Sequence, residues 1–367
     1  MKKEKSILKF SWNLLSQYKA ELYGFSILWI MLFHGIAQHS IGALDRNLSF
    51  MTNFIKHGNC GVEVFLFLSG VFLYFSMKNK KSSISFFYRK RVLRIFIPLL
   101  LIDGLYWGYL NIIHQHSILR FFKNVTFYSF WFEGNKLVWF IALIVWLYLL
   151  YPCIYKFVLK PYGASKKSFA ILALLCILVY GGCYILNKTL GSNIHEWYMT
   201  TEIALTRIPV FLLGCYVGPL VYQKKNINSW VLICSAAALA WGLYFFYHHF
   251  GLVKWYRVQY LLVGPSFAIW GGILLNALGN RYINNTLTFF GTISLELYLS
   301  HVLFQKMFFD FSLYGTNKVH NFHLFLKIIF IGSIISALTV SCISKKLITF
   351  FSSKSYMDWL YKMLSKE

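Results

Sequence analysis

Apolar residues arrive in runs long enough to matter, each separated from the next by a short polar or basic stretch. A helix rising 1.5 Å per residue needs about 20 apolar residues to cross the hydrocarbon core of a bilayer. Windows of that kind fall at 20–38, 59–77, 94–113, 137–157, 168–187, 202–222, 229–249, 257–277, 286–305 and 323–344. Lipid offers the backbone no hydrogen-bond partner, so each window predicts a helix. The expected fold is all-α: a polytopic transmembrane helix bundle of about ten spans.

Composition agrees with that reading. The 367 residues are 58% hydrophobic and only 13% charged, against about 25% charged in an average soluble domain. Aromatic residues make up 20% of the chain, as expected of lipid-facing surface and interfacial belts. The formal charge of +24 raises nucleic acid as a partner, but the basic residues sit in short clusters between apolar runs, not on one polar domain, and nucleic-acid binding is not expected. Basic loops are retained in the cytoplasm. With the N-terminus inside, 24 of the 36 Lys and Arg residues fall on the cytoplasmic side and eleven outside, with Arg207 inside a span. Both termini are therefore expected to be cytoplasmic. No long polar insertion or repeat interrupts residues 1–367, which read as a single integral-membrane domain with short tails at about 1–18 and 346–367. The basic start leads into an apolar run that further spans follow, so no cleavable signal peptide is expected. The seven cysteines lie mostly in apolar stretches, without CxxC or Cys/His spacing, and no metal site is expected.

An ionisable side chain at bilayer depth costs several kcal/mol by most scales, so each one needs a partner, a wet cavity or a task. Six stand out: His34, Glu63, Asp103, Arg207, Glu296 and His301. Counting helical rise along alternating spans puts His34, Glu63, Arg207 and His301 in one layer, in the outer half of the membrane. A shared polar cavity would explain all four. Imidazole exchanges a proton near neutral pH, which suits His34 to general-base work; Glu63 either orients that imidazole or locks helices together as an ion pair with Arg207. Asp103 and Glu296 are more isolated and read as structural or cavity-lining groups. A second cluster, SFFYRKRVLRIFIP (85–98), sets Arg91 and Arg94 three residues apart on one helix face, an arrangement suited to phosphate recognition or to anchoring the chain in the cytoplasm.

Six strings, in order, carry a resemblance. ELYGFSILWIMLFHG (21–35), GVEVFLFLSGVFL (61–73), RKRVLRIFIP (89–98), VWFIALIVWLYLLYP (138–152), RIPVFLLGCYVG (207–218) and FGTISLELYLSH (290–301) resemble the blocks of the acyltransferase-3 family of membrane O-acyltransferases. The first block departs from the pattern: many members carry an arginine eleven positions before the histidine, where this chain has Tyr23. No esterase-like extension is read, so the similarity is to single-domain members.

The resemblance implies transfer of an acyl group, usually acetyl, from acyl-CoA to a hydroxyl of a surface polysaccharide or its lipid-linked precursor, in a bacterial cytoplasmic (inner) membrane. On that basis His34, Glu63 and His301 are the catalytic candidates. Arg91, Arg94 and Ser69 would bind the donor, and Arg207, Trp139 and Tyr298 the acceptor. Acetyl-CoA is a substrate, not a resident cofactor. The expected partners are acyl-CoA, a glycan and the bilayer, with self-association into a homo-oligomer compatible with the sequence. The competing reading is a transporter or flippase for a small acid or a lipid-linked sugar, in which the same buried charges would bind cargo or relay protons.

Overall fold

The computed structural model describes residues 10–37, 54–78, 83–188, 192–249, 257–310 and 324–353. Among them the chain is helical, with one isolated bridge between Ser11 and Asn226. The principal helices are α1 (Lys19–Leu32), α2 (Gly61–Lys78), α3 (Ile84–Leu99), α4 (Trp139–Ile154), α5 (Lys166–Lys188), α6 (Ser192–Leu205), α7 (Ile208–Tyr222), α8 (Ser229–His249), α9 (Val258–Leu278), α10 (Arg281–Thr292), α11 (Ser294–Asp310) and α12 (Ser333–Ser352).

Among the described residues seven helical segments are long and apolar enough to cross a membrane, and an eighth is obtained if α10 and α11, bent by 68° at their junction, count as one. The expected ten is a finer count than these helices support. The α8 window yields a shorter apolar helix, Ser229–Phe245. The first window yields α1, continued by a π-helical turn over Phe33–Ala37, and the residues beyond lie outside those described. Likewise, much of the charge count behind the expected orientation, from Lys2 to Lys9 and from Lys354 to Lys366, falls outside the described residues.

Close approach of α2 to α7 organises the centre. A Cβ added at Gly214 would collide with the carbonyl of Phe67, and one added at Gly70 would collide with the carbonyl of Phe211. Lipid tails are as apolar as leucine, so helix pairing in a membrane relies on this small-residue contact. A further close contact lies on α9, where a Cβ added at Gly264 would meet the Cβ of Glu63. These helices form one apolar core with α1, α3, α4 and α11, in which Phe67, Phe211, Leu66 and Tyr151 are almost fully buried. In contrast, α5 keeps most of its surface outward, with Ile177, Leu178 and Ile185 exposed, as a lipid-facing helix would.

Candidate functional site

Two cavities open among these helices and have one lining residue in common, Tyr298 of α11. The cationic cavity, about 390 Å³, is lined by Lys19 at the start of α1 and by Lys90, Arg91 and Arg94 of α3. Among the described residues no carboxylate lines it. Four like charges facing one concavity raise its potential and draw in anions. Arg91 is held between the rings of Phe87 and Tyr148, each 5.5 Å from its guanidinium carbon, and it donates from Nη2 to Ser76. Its buried Nε has no hydrogen-bond partner among the described residues. An anionic oxygen would satisfy it at little cost in reorganisation. Ser69 of α2 faces the same cavity and receives a 3.4 Å hydrogen bond from Tyr148. Tyr23 also lines it, stacked on Phe65 at 5.0 Å. Lys19 sits one turn earlier on α1, with its ammonium 4.2 Å from the Phe72 ring.

The histidine cavity, about 420 Å³, is lined by His34, Trp139, Arg207, Arg257, Tyr260 and Tyr298, among others. His34 lies fifteen residues beyond Lys19 on the same helical path, so these two side chains stand about 20 Å apart along it. His301 is fully buried behind His34. Its Nδ1 lies 2.8 Å from the carbonyl of Leu297, which can only accept, so Nδ1 carries the proton. Nε2 of His301 is therefore the acceptor in the 3.1 Å contact with Nδ1 of His34. It follows that the proton of His34 is on Nδ1 and the lone pair on Nε2, the state a general base requires.

Glu63, entirely buried at the start of α2, pairs with Nε of Arg207 at the N-terminus of α7. The sequence left two roles open for this carboxylate, and the geometry is that of the ion pair; the ring nitrogen bonded to His34 belongs to His301. Glu63 bears on the cavity through Arg207. The guanidinium of Arg207 also donates to the carbonyl of Ile203 at 2.8 Å and lies over the rings of Tyr260 at 4.0 Å and Trp139 at 4.9 Å. A buried charge kept this way is held in one geometry by every neighbour it has.

Two groups of this cavity, Arg257 and Tyr260, and the carboxylate behind them, Glu202, were not singled out from the sequence. Arg257 makes a two-pronged ion pair with the buried Glu202, with Nε to Oε2 at 2.8 Å. Tyr260 accepts hydrogen bonds of 3.3 Å from both Arg257 and Asn59. Glu202 opens one apolar window and Arg257 opens another, so both resemble the ordinary charged flanks of spans; that each lies at a window edge across from the other was the available signal. Of the remaining ionisable groups, Asp103 is buried on a π-helical turn over Leu100–Gly104, with neither oxygen hydrogen-bonded among the described residues. Glu296 begins α11. Neither lines either cavity. No group of three or more metal-ligating side chains occurs among the described residues.

Along the wall of the cationic cavity and on to His301 runs an unbroken row of ring contacts. Tyr23 stacks on Phe65; Phe65 meets Phe140 at 6.1 Å; Phe140 meets Tyr298 at 5.1 Å; and Tyr298 meets His301 edge-on at 5.7 Å. Through Tyr298 the row joins the lining of the cationic cavity to the buried His301.

Fold and site together define a multi-pass, all-helical membrane protein with a polar interior built on spanning helices. The family model described as an acyltransferase domain matches residues 23–343, and the chain belongs to this acyltransferase-3 family. Membrane acyl transfer is thus its class of activity, and the transport reading is not favoured. No curated protein and no solved structure matches the chain.

Proposed function

We propose that the protein moves an acyl group, acetyl in the first instance, from acyl-CoA to a hydroxyl of an envelope glycan or its lipid-linked precursor in a bacterial cytoplasmic membrane. The observation that carries this reading is the junction at Tyr298: a cavity lined, among the described residues, by four cations and no carboxylate meets there a cavity lined by His34, whose tautomer the buried His301 fixes. A CoA thioester is a polyanion with a long neutral arm, and its phosphates match Lys19, Lys90, Arg91 and Arg94. The arm spans the distance to the aromatic row and delivers the thioester carbonyl to Tyr298. Placing the cationic cavity on the cytoplasmic side follows from the basic-loop pattern and from where acyl-CoA is made.

In the transfer, the sugar hydroxyl attacks the thioester carbon as Nε2 of His34 removes its proton. The carbon–sulfur bond breaks, a carbon–oxygen bond forms, and the proton ends on the sulfur of the released CoA. His301 touches no substrate in this scheme; it is a positioning residue that keeps the His34 lone pair on Nε2. Trp139, Tyr260 and the two arginines beside them give the acceptor a flat aromatic face and fixed donors, suited to a sugar ring and its hydroxyls.

The test is acetyl-CoA binding and turnover by the full-length protein in lipid, followed by thermal shift and free-thiol release in the presence of envelope glycan extract. Saturable binding is expected for wild type and for His34→Ala, with thiol release lost only in the variant. Folded wild-type protein that binds no acetyl-CoA would refute the assignment.

A further inference from the structure

The histidine cavity carries more positive charge than its own carboxylates offset. Lys136, Arg207 and Arg257 all line it, and among the described residues no carboxylate does. Glu63 and Glu202 stand behind the wall and pair with the two arginines. The ammonium of Lys136 has a backbone neighbour, the carbonyl of Met199 at 3.4 Å, and no carboxylate partner among the described residues. One positive charge is therefore left to be met by what enters the cavity.

The place of Lys136 relative to Arg207 is set by α6. Lys136 donates to the carbonyl of Met199, and Nη1 of Arg207 donates to that of Ile203 at 2.8 Å. These carbonyls are four residues apart, on one face of the helix and about 6 Å apart along it. Nε of Arg207 is engaged by Glu63, which leaves Nη2 unspent among the described residues. Lys136 is exposed and Arg207 buried, so the first marks the mouth of the cavity and the second its interior. An oxyanion between them would gain two charge-assisted hydrogen bonds. At about 420 Å³ the cavity lies at the small end of ligand sites, so a molecule that brings a hydroxyl to His34 also brings its nearest substituents past Lys136.

We infer that the acceptor is an acidic glycan, with a carboxylate or a phosphate on the sugar that is acylated or on the one beside it, and that Lys136 together with Arg207 reads that charge. This rests on the acyl-transfer reading above and adds to it the chemical class of the acceptor.

The measurement is free-thiol release by the full-length protein in lipid at saturating acetyl-CoA, with envelope glycan extract as acceptor. The extract is used untreated and after reduction by carbodiimide and borohydride, which turns carboxylates into alcohols and leaves phosphates in place. Lys136→Gln is expected to raise the apparent KM for untreated extract by about tenfold, and Lys136→Glu by more, with the KM for acetyl-CoA unchanged. Lys136→Arg keeps the charge and should stay within about threefold of wild type. A wild-type advantage over Lys136→Gln that disappears on reduction identifies a carboxylate; one that survives reduction but shrinks from 50 to 300 mM salt identifies a phosphate. An acceptor KM that Lys136→Gln leaves unchanged overturns the inference and assigns Lys136 to the bilayer surface. An advantage that survives both reduction and salt overturns it as well. Folded wild type that binds no acetyl-CoA, or transfers to neither form of the extract, overturns the acyl-transfer reading, and the acidic acceptor with it.

Discussion

Nε2 of His301 lies 3.1 Å from Nδ1 of His34, and the direction of that hydrogen bond is dictated from the far side of His301, where Nδ1 faces the carbonyl of Leu297. One backbone oxygen on α11 thus decides which nitrogen of a side chain on another helix is basic. The arrangement parallels the way a carboxylate orients a catalytic imidazole, with a neutral ring in the place of the acid.

His301→Gln keeps an acceptor near His34 but not the fixed ring. We expect kcat to fall by about 10–100-fold with the KM for acetyl-CoA unchanged, whereas His34→Ala loses about 10²–10⁴. Steady-state kinetics of the three proteins checks this, and a change confined to KM would remove His301 from the positioning role.

Arg91→Gln with Arg94→Gln takes two of four cations from the donor cavity. The KM for acetyl-CoA should rise by about tenfold or more, with the acceptor requirement little altered. The wild-type affinity should also weaken from 50 to 300 mM salt more steeply than that of the variant, because fewer phosphate contacts remain to be screened. Equal salt slopes would return the cluster to a topology anchor.

Glu63→Gln leaves the buried guanidinium of Arg207 without its counter-charge, at a cost of about 3–5 kcal/mol. Arg207→Met alone should be comparably harmful, and the pair Glu63→Gln with Arg207→Met should recover a large part of the loss, as apolar replacement of a whole buried pair often does. Thermal denaturation in detergent across the cycle measures the coupling; additive losses would show that the two do not act as a pair.

Gly214→Val puts a branched side chain where even a Cβ meets the Phe67 carbonyl. Separating α2 from α7 should lower the melting temperature and also weaken acyl transfer, because Glu63, Ser69 and Arg207 all ride on these two helices or their ends. Normal activity at a normal melting temperature would show that the close approach is not needed.

Much of the site was legible because lipid makes ionisable residues conspicuous. His34, Glu63, Arg207 and His301 stood out as charges in apolar windows, and helical rise placed them in one layer; the structure brings them to the same region as two bonded pairs, His34 with His301 and Glu63 with Arg207. Arg91 and Arg94 stood out as a basic pair before a proline, and Ser69, 22 residues before Arg91, was grouped with them through the family pattern; all three line one cavity. Glu202, Arg257 and Tyr260 were not legible, because a charge at the edge of a span looks the same whether it faces headgroups or a cavity.

The order of residues alone dictates the environment: long apolar runs can satisfy their backbones in lipid only as helices, and that follows from composition and length alone. It also determined which side chains would be costly enough there to need a partner. Which partner each one takes was decided only by the tertiary structure. Pairing depends on the rotation of each helix about its axis and on how closely two axes approach, and these are set by contacts such as Gly214 on Phe67 and Gly264 on Glu63 between residues far apart in the chain. The tautomer of His34 and the aromatic wall ending at Tyr298 follow from that packing, and no local pattern encodes them.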